Sequence, residues 1–139
     1  MKTSERAGKP LKAVYAKLVG KDPVRVIREG LPVSAVDEII QSGAISSSEV
    51  YDVVLPRKTL TNRRTVGILT PDQSDRLMRV ARVIAKAEET FGSLEKVRRW
   101  LRRPTVPLNG EAPLMLLDTE AGARLVEELL LRIDHGVAA

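Results

Sequence analysis

Residues 46–67 read SSSEVYDVVLPRKTLTNRRTVG and hold the most informative local pattern of the chain. The three serines 46–48 offer capping hydroxyls and Glu49 follows in the first turn, so a short helix is predicted to begin here. Pro56 interrupts that helix, because proline lacks an N–H donor and disfavours helix at the residue before it. Proline also starts helices well, and a second helix is predicted to run to about Arg64. Two short helices around a tight break have the layout of a helix-turn-helix.

The predicted second helix is basic and has one strongly apolar residue, Leu60. Because this helix must bury one face, we expect Leu60 to point inward and its neighbours to face solvent. Arginine can bind guanine through two hydrogen bonds and asparagine can do so with adenine, whereas lysine and threonine bind phosphate. The alternative is a solvated basic helix that binds no ligand. The candidate DNA-binding residues are Arg57, Lys58, Thr59, Thr61, Asn62, Arg63 and Arg64.

Charge is distributed unevenly along the chain. Residues 1–67 hold 12 Lys and Arg against 7 Asp and Glu, whereas residues 68–139 hold 11 of each. Within the second half, residues 104–139 have two arginines against six acids. A basic first half indicates a polyanionic partner, although solvated surface charge is the alternative explanation.

Apolar residues recur at helical spacing outside this stretch, and no segment alternates with a period of two, so an all-α fold is predicted. The sequence Thr70-Pro71-Asp72-Gln73 predicts a capped helix that reaches about Phe91. Ser93 is expected to cap another helix and Thr119 the last one. On the last helix we expect three residues to face inward: Leu125, Leu129 and Ile133.

The residue inventory argues against an enzyme. The chain has no cysteine and one histidine, His135, so we expect neither a metal site nor a catalytic triad. It lacks the glycine-rich loops that hold phosphates, and we expect no cofactor. The acidic pairs Glu88-Glu89 and Glu127-Glu128 are interpreted as solvated helix faces. With no apolar segment of signal-peptide or membrane-spanning type, a cytoplasmic protein without membrane contact is expected.

Two irregular segments of the second half are candidates for recognition. Residues 104–113 contain three prolines and an Asn-Gly pair, which predict an ordered loop. The residues after Ile133 form the other segment. Irregular segments mounted on helices commonly carry binding residues.

Over residues 22–139 the sequence resembles antitoxins of the Xre/MbcA/ParS group, which neutralise RES-domain toxins. The first half of the resemblance lies in LPRKTLTNRR (55–64) and LTPDQSDRLMRVARV (69–83). In the second half it lies in Trp100, Leu101 and Pro104, in the loop from Leu108 to Leu117, in TEAGA (119–123) and in the segment from Arg132 to Gly136.

Residues 1–21 lie outside the resemblance and are expected to form a flexible arm, because residues 1–9 are polar and lack periodicity; a short helix from Pro10 to Leu18 is predicted inside it. The resemblance itself concerns the residues that follow. A helix-turn-helix DNA-binding and dimerisation region would span 22–90, continuous with a small helical toxin-binding domain over 91–139. It implies a homodimer that binds operator DNA, represses its own operon, and blocks the active site of a RES toxin that degrades NAD or transfers ADP-ribose. The alternative is a stand-alone regulator whose C-terminal half only dimerises.

The toxin-binding candidates that follow from the resemblance are Arg103, Asn109, Gly110, Arg132, His135, Gly136 and Val137. The chain departs from the group at two of these positions. The group often has an aromatic residue where this chain has His135, and another where it has Val137. The departure implies a difference in partner specificity.

Overall fold

The computed structural model describes residues 8–136. The chain forms α-helices joined by short turns, and the described residues contain two isolated β-bridges but no strand. The all-α prediction is therefore confirmed. The α-helices are α1 (Leu11–Val19), α2 (Pro23–Glu29), α3 (Ser34–Gln41), α4 (Ser47–Val53), α5 (Arg57–Val66), α6 (Pro71–Phe91), α7 (Leu94–Leu101) and α8 (Glu120–Asp134). Two 3-10 helices, Val106–Leu108 and Pro113–Asp118, lie between α7 and α8.

Helix α6 is the centre of the fold. It begins with the predicted capping box: the Thr70 hydroxyl accepts from the Gln73 N–H at 3.1 Å, and the Gln73 side chain accepts from the Thr70 N–H at 2.9 Å. Gly92 ends the helix in the left-handed conformation at a φ of 69°. Helices α1, α2, α7 and α8 all pack against α6. Because α6 has buried residues along its whole length, the chain has one continuous core.

Helix α1 corrects the prediction of a flexible arm over residues 1–21. The predicted helix is present, but its apolar side chains Leu11, Val14 and Leu18 are buried in the core, and the helix packs against α6. The spacing of these three residues makes one continuous apolar face, which explains the burial. Residues 1–7 of the predicted arm lie outside the described residues.

The start of α1 also corrects the interpretation of Glu88 as a solvated residue. Pro10 provides no side-chain cap for α1. The carboxylate of Glu88 accepts hydrogen bonds from the N–H groups of Leu11 at 2.8 Å and Lys12 at 2.7 Å. Glu88 therefore satisfies two amides that the helix start would otherwise leave unpaired.

Helix α8 differs from the prediction in its register. Leu125 was expected to face inward but is 50% exposed, whereas Val126 and Leu129 are buried. The buried face passes through Gly122, where an added Cβ would collide with the backbone carbonyl of Leu116. This close approach of the 3-10 helix Pro113–Asp118 fixes the side of α8 that turns inward. Leu129 agrees with the prediction, and Ile133 is partly buried against the core.

Neither a membrane span nor a metal cluster is found in the part of the chain that the structure describes. No helix between residues 8 and 136 is long and apolar enough to cross a bilayer. No group of three or more His, Cys, Asp or Glu residues in this range is arranged to hold a metal ion.

Candidate functional site

Helices α4 and α5 form the predicted helix-turn-helix. Ser46 caps α4 by accepting from the Glu49 N–H at 3.3 Å, and the Glu49 carboxylate accepts from the Ser46 N–H at 2.9 Å. After the break at Pro56, α5 continues for ten residues. Leu60 is the one buried residue of α5, at 4% exposure. The inward orientation predicted for Leu60 is confirmed.

The exposed face of α5 carries most of the candidate DNA-binding residues. Arg57, Lys58, Thr61 and Asn62 are exposed, and Thr59 is half-buried. Within residues 8–136, neither Arg57 nor Lys58 forms an ion pair. Their charges are therefore available to an external anion.

The structure gives the other two candidates, Arg63 and Arg64, internal contacts. Arg64 donates from Nη1 and Nη2 to the two carboxylate oxygens of Asp37 on α3, at 3.1 and 2.9 Å. The hydrogen bond to Asp37 raises the pKa of Arg64. Arg63 donates from Nε to the carbonyl oxygen of Ile68 at 3.0 Å. Arg64 thus joins α5 to α3, whereas Arg63 contacts the turn that follows α5; the helical spacing of the sequence indicated neither contact.

The candidate loop of residues 104–113 is ordered. Its tip, Asn109-Gly110, has positive φ values of 58° and 80°, and the Gly110 N–H donates to the Thr105 carbonyl at 2.9 Å. Leu108 is buried and anchors the loop, whereas Val106 is 89% exposed. An exposed valine beside the tip is a feature that the sequence reasoning missed.

Arg103 lies just after α7 and is exposed. It lines a surface cavity of about 210 Å³ together with Lys96, Arg99 and two aromatic residues, Phe91 and Trp100. The two aromatic rings have centroids 5.3 Å apart and are tilted by 46°. Arginine and aromatic side chains, though not lysine, are enriched at protein interfaces.

The remaining toxin-binding candidates lie at or after the end of α8. Arg132 and His135 are exposed, and the His135 N–H closes the helix on the Leu131 carbonyl at 3.0 Å. Gly136 follows with a φ of 75°. Val137 lies outside the described residues. Since α8 packs against the 3-10 helix Val106–Leu108, the loop and the last helix form one structural unit.

Two arginines of α6 connect the helix-turn-helix region to this unit. Arg79 donates from Nε to Glu120 at 3.2 Å, and Arg82 donates from Nε to Glu127 at 3.0 Å. Burial raises the pKa of Glu120, but the charges and hydrogen bonds of Arg82 and Arg79 outweigh this effect and the pKa is lowered. Glu127, which we interpreted as solvated, is therefore an ion-pair partner. Its position on α8 and the arginines on α6 are too far apart in sequence for any local pattern to reveal this.

Comparison with known proteins gives two matches along the chain. Residues 22–82 match the Antitoxin Xre-like helix-turn-helix domain, and residues 86–136 match the Antitoxin Xre/MbcA/ParS C-terminal toxin-binding domain. The two matches meet within α6, the helix that both parts share.

The chain is also similar in sequence to individual antitoxins. The chain is 36% identical to Antitoxin Xre of Pseudomonas putida over 79% of this chain and 69% of the relative. It is 36% identical to Antitoxin Xre of Yersinia enterocolitica over 80% of this chain and 77% of the relative. A protein of a Sphingobium species named Prs ADP-ribosylating antitoxin is 25% identical over 85% and 81%. The chain therefore belongs to the Xre/MbcA/ParS family of antitoxins, with a helix-turn-helix domain followed by a toxin-binding domain.

Proposed function

We propose that this antitoxin blocks the active site of a RES-domain toxin and represses its own operon by binding operator DNA. The single observation that carries the proposal is the arrangement of its two surfaces. An open basic helix face lies in the helix-turn-helix, and an exposed loop and helix end lie in the toxin-binding domain. The proposal includes no catalytic activity of the antitoxin itself.

The DNA-binding part of the proposal is supported by α5. The second helix of a helix-turn-helix enters the major groove, and its N-terminal residues contact base edges. Arg57 and Lys58 lie in the first turn of α5, are exposed, and form no ion pair within the described residues. Asn62 is exposed one turn later. This face offers both base-reading and phosphate-binding side chains.

The toxin-blocking part is supported by charge. A cleft that holds the phosphates of NAD is expected to be basic, and an acidic module is electrostatically complementary to such a cleft. Residues 104–139 have two arginines against six acids. Arg132, exposed in the last turn of α8, is suited to pair with a carboxylate at the cleft or its rim.

The experiment that tests the proposal has two arms. In the first, the antitoxin is co-expressed with the protein encoded beside it, which the proposal expects to be a RES-domain toxin, and both complex formation and cell survival are measured. In the second, the purified antitoxin is titrated onto a duplex covering the DNA upstream of its own gene. Binding in both arms with rescue of survival supports the proposal. DNA binding without a complex or rescue would favour the stand-alone regulator instead.

A further inference from the structure

The C-terminal end of helix α7, in the toxin-binding domain, is ion-paired with α4, the first helix of the helix-turn-helix. Arg102 lies at the end of α7 and forms a bidentate ion pair with Glu49 of α4. The distances are 2.7 Å from Nε to Oε2 and 2.6 Å from Nη2 to Oε1. Planar arginine–carboxylate pairs of this kind fix orientation as well as distance.

The turn before α4 is held from the same helix. Arg98 donates from Nε to the Gly43 carbonyl at 2.6 Å, and Arg102 donates from Nη2 to the Ala44 carbonyl at 3.3 Å. Gly43 has a φ of 86°, and a Cβ there would lie 3.1 Å from the Arg98 guanidinium. The turn between α3 and α4 thus fits closely against α7.

The Glu49 carboxylate takes part in two interactions, one within α4 and one with α7. Its carboxylate accepts from the Ser46 N–H in the capping box and from Arg102, and its side chain is 18% exposed. Burial raises the pKa of Glu49, but the hydrogen bonds from Arg102 and Ser46 outweigh this effect and the pKa is lowered. The start of α4 is therefore fixed by its own cap and by a residue of the other domain.

The position of the recognition helix α5 depends on that of α4 and of the turn before α4, because Leu60 is the one buried residue of α5. Arg64 of α5 also pairs with Asp37 on α3. The turn that joins α3 to α4 is the turn that α7 holds. Because only a short break at Pro56 separates α4 from α5, we expect a displacement of this turn and of α4 to displace α5 as well.

We propose that Arg102, through its bidentate pair with Glu49, is a positioning residue for DNA binding that the toxin-binding domain supplies. The inference rests on the proposed function of α5 as the recognition helix. It implies that the two domains do not act independently, since DNA affinity depends on a contact made by α7.

The test compares Arg102→Ala, Glu49→Gln and the double variant with the wild type. Glutamine keeps the capping box, as Gln73 does at the start of α6, but removes the charge that Arg102 pairs with. The matched control is Arg124→Ala, an arginine of α8 whose side chain is 75% exposed. All five full-length proteins are titrated onto the duplex from upstream of the gene, at a temperature at which thermal melting shows each to be folded.

We expect Arg102→Ala and Glu49→Gln each to weaken binding by about three- to tenfold. The double variant should be no weaker than Arg102→Ala, because both changes remove the same contact. The salt dependence should keep its slope, since Arg102 touches Glu49 and not a phosphate. A lowered melting temperature with unchanged affinity would assign Arg102 a purely structural role and overturn the proposal. A slope reduced by about one in Arg102→Ala alone would reveal a direct phosphate contact and overturn it as well.

Hydrogen exchange separates this proposal from the proposed function. Without DNA, the amides of α4 and of the turn before it should exchange faster in Arg102→Ala and in Glu49→Gln than in the wild type or the control. Unchanged exchange in both variants would overturn the positioning role. If the wild type binds no duplex at all, DNA binding by α5 fails and positioning for it fails with it, whereas faster exchange would still assign Arg102 to holding α4. If Arg102→Ala does not fold, the DNA affinity and the hydrogen exchange of Glu49→Gln alone test the positioning role.

Discussion

Arg79 of α6 donates to Glu120 of α8 across 3.2 Å while its own side chain is only 10% exposed. The same guanidinium also bonds Asp75 at 3.1 Å and the Asp118 carbonyl at 3.4 Å. A buried guanidinium needs such partners, because desolvating an unpaired charge is costly. This residue joins the helix-turn-helix region to the toxin-binding domain at the start of α8.

Replacing Arg79 with alanine should destabilise the protein by about 1–3 kcal/mol, since a buried hydrogen-bonded charge and its packing are lost. Glu120 is half exposed and can be hydrated after the change, which keeps the loss below that of a fully buried pair. Chemical denaturation measures the difference. Arg124→Ala, with a 75% exposed side chain, serves as the control and should stay within about 0.5 kcal/mol of the wild type. Equal stability of both variants would contradict a structural role for Arg79.

Stability should decline on acidification because two carboxyl groups have lowered pKa values. The pKa values of Glu49 and Glu120 both lie below the ordinary value of a glutamate carboxyl, because Arg102 and Ser46 stabilise the charge of Glu49 and Arg82 and Arg79 stabilise that of Glu120. A carboxyl with a depressed pKa in the folded state contributes stability that is fully present above the unfolded pKa. That contribution is lost as the pH falls through the folded pKa. Urea unfolding between neutral pH and pH about 3 should show the decline in the free energy of unfolding. The free energy should fall less steeply with pH in the double variant Glu49→Gln and Glu120→Gln.

DNA binding should depend on the open face of α5. Arg57→Ala or Asn62→Ala is expected to cost about 1–3 kcal/mol at one base pair, if the side chain reads that base. Lys58→Ala should weaken binding to all sequences alike and reduce the salt slope by about one. Titrations onto operator and scrambled duplexes distinguish these effects. Lys21→Ala removes an exposed cation between α1 and α2 and serves as the control. Wild-type affinity in all three α5 variants would show that this face does not bind DNA.

The purified antitoxin should be a homodimer. Dimeric helix-turn-helix proteins bind two half-sites whose symmetry mirrors their own. The short helix α5 offers few base contacts, so a second copy is needed for tight specific binding. Light scattering at micromolar concentration should give about twice the 15.3 kDa chain mass. A mass of one chain at every concentration tested would contradict the prediction.

Toxin neutralisation should depend on the last turn of α8. Arg132→Glu reverses the one cation that the last turn of α8 presents and should reduce protection of cells that express the RES-domain toxin. Arg124→Glu makes the same charge change two turns earlier and should leave protection intact. Circular dichroism of both variants checks that the helix persists. Full protection by Arg132→Glu would contradict this prediction and make the loop tip at Asn109 and Gly110 the better candidate for the element that blocks the toxin.

The local architecture of this protein could be predicted from its sequence. The capping box of α6 closes within one helical turn, so the spacing of Thr70 with Gln73 was enough to predict it. At α4 the sequence predicted a serine cap, and the structure adds the return bond from Glu49. Leu60 could be placed inward because α5 has no other strongly apolar residue near its centre. The exposed face of α5 follows from helical geometry once Leu60 is placed.

The contacts between elements required the tertiary structure. Glu88 caps α1 across 77 positions and Arg102 holds Glu49 across 53, so no periodicity relates these pairs. The register of α8 was mispredicted at Leu125 because its leucines allow two apolar faces. The approach of Leu116 to Gly122 selected one of them. Sequence spacing thus determined the helices, their caps and the basic face of α5, whereas three-dimensional packing decided which charges join the two domains and which side of α8 is buried.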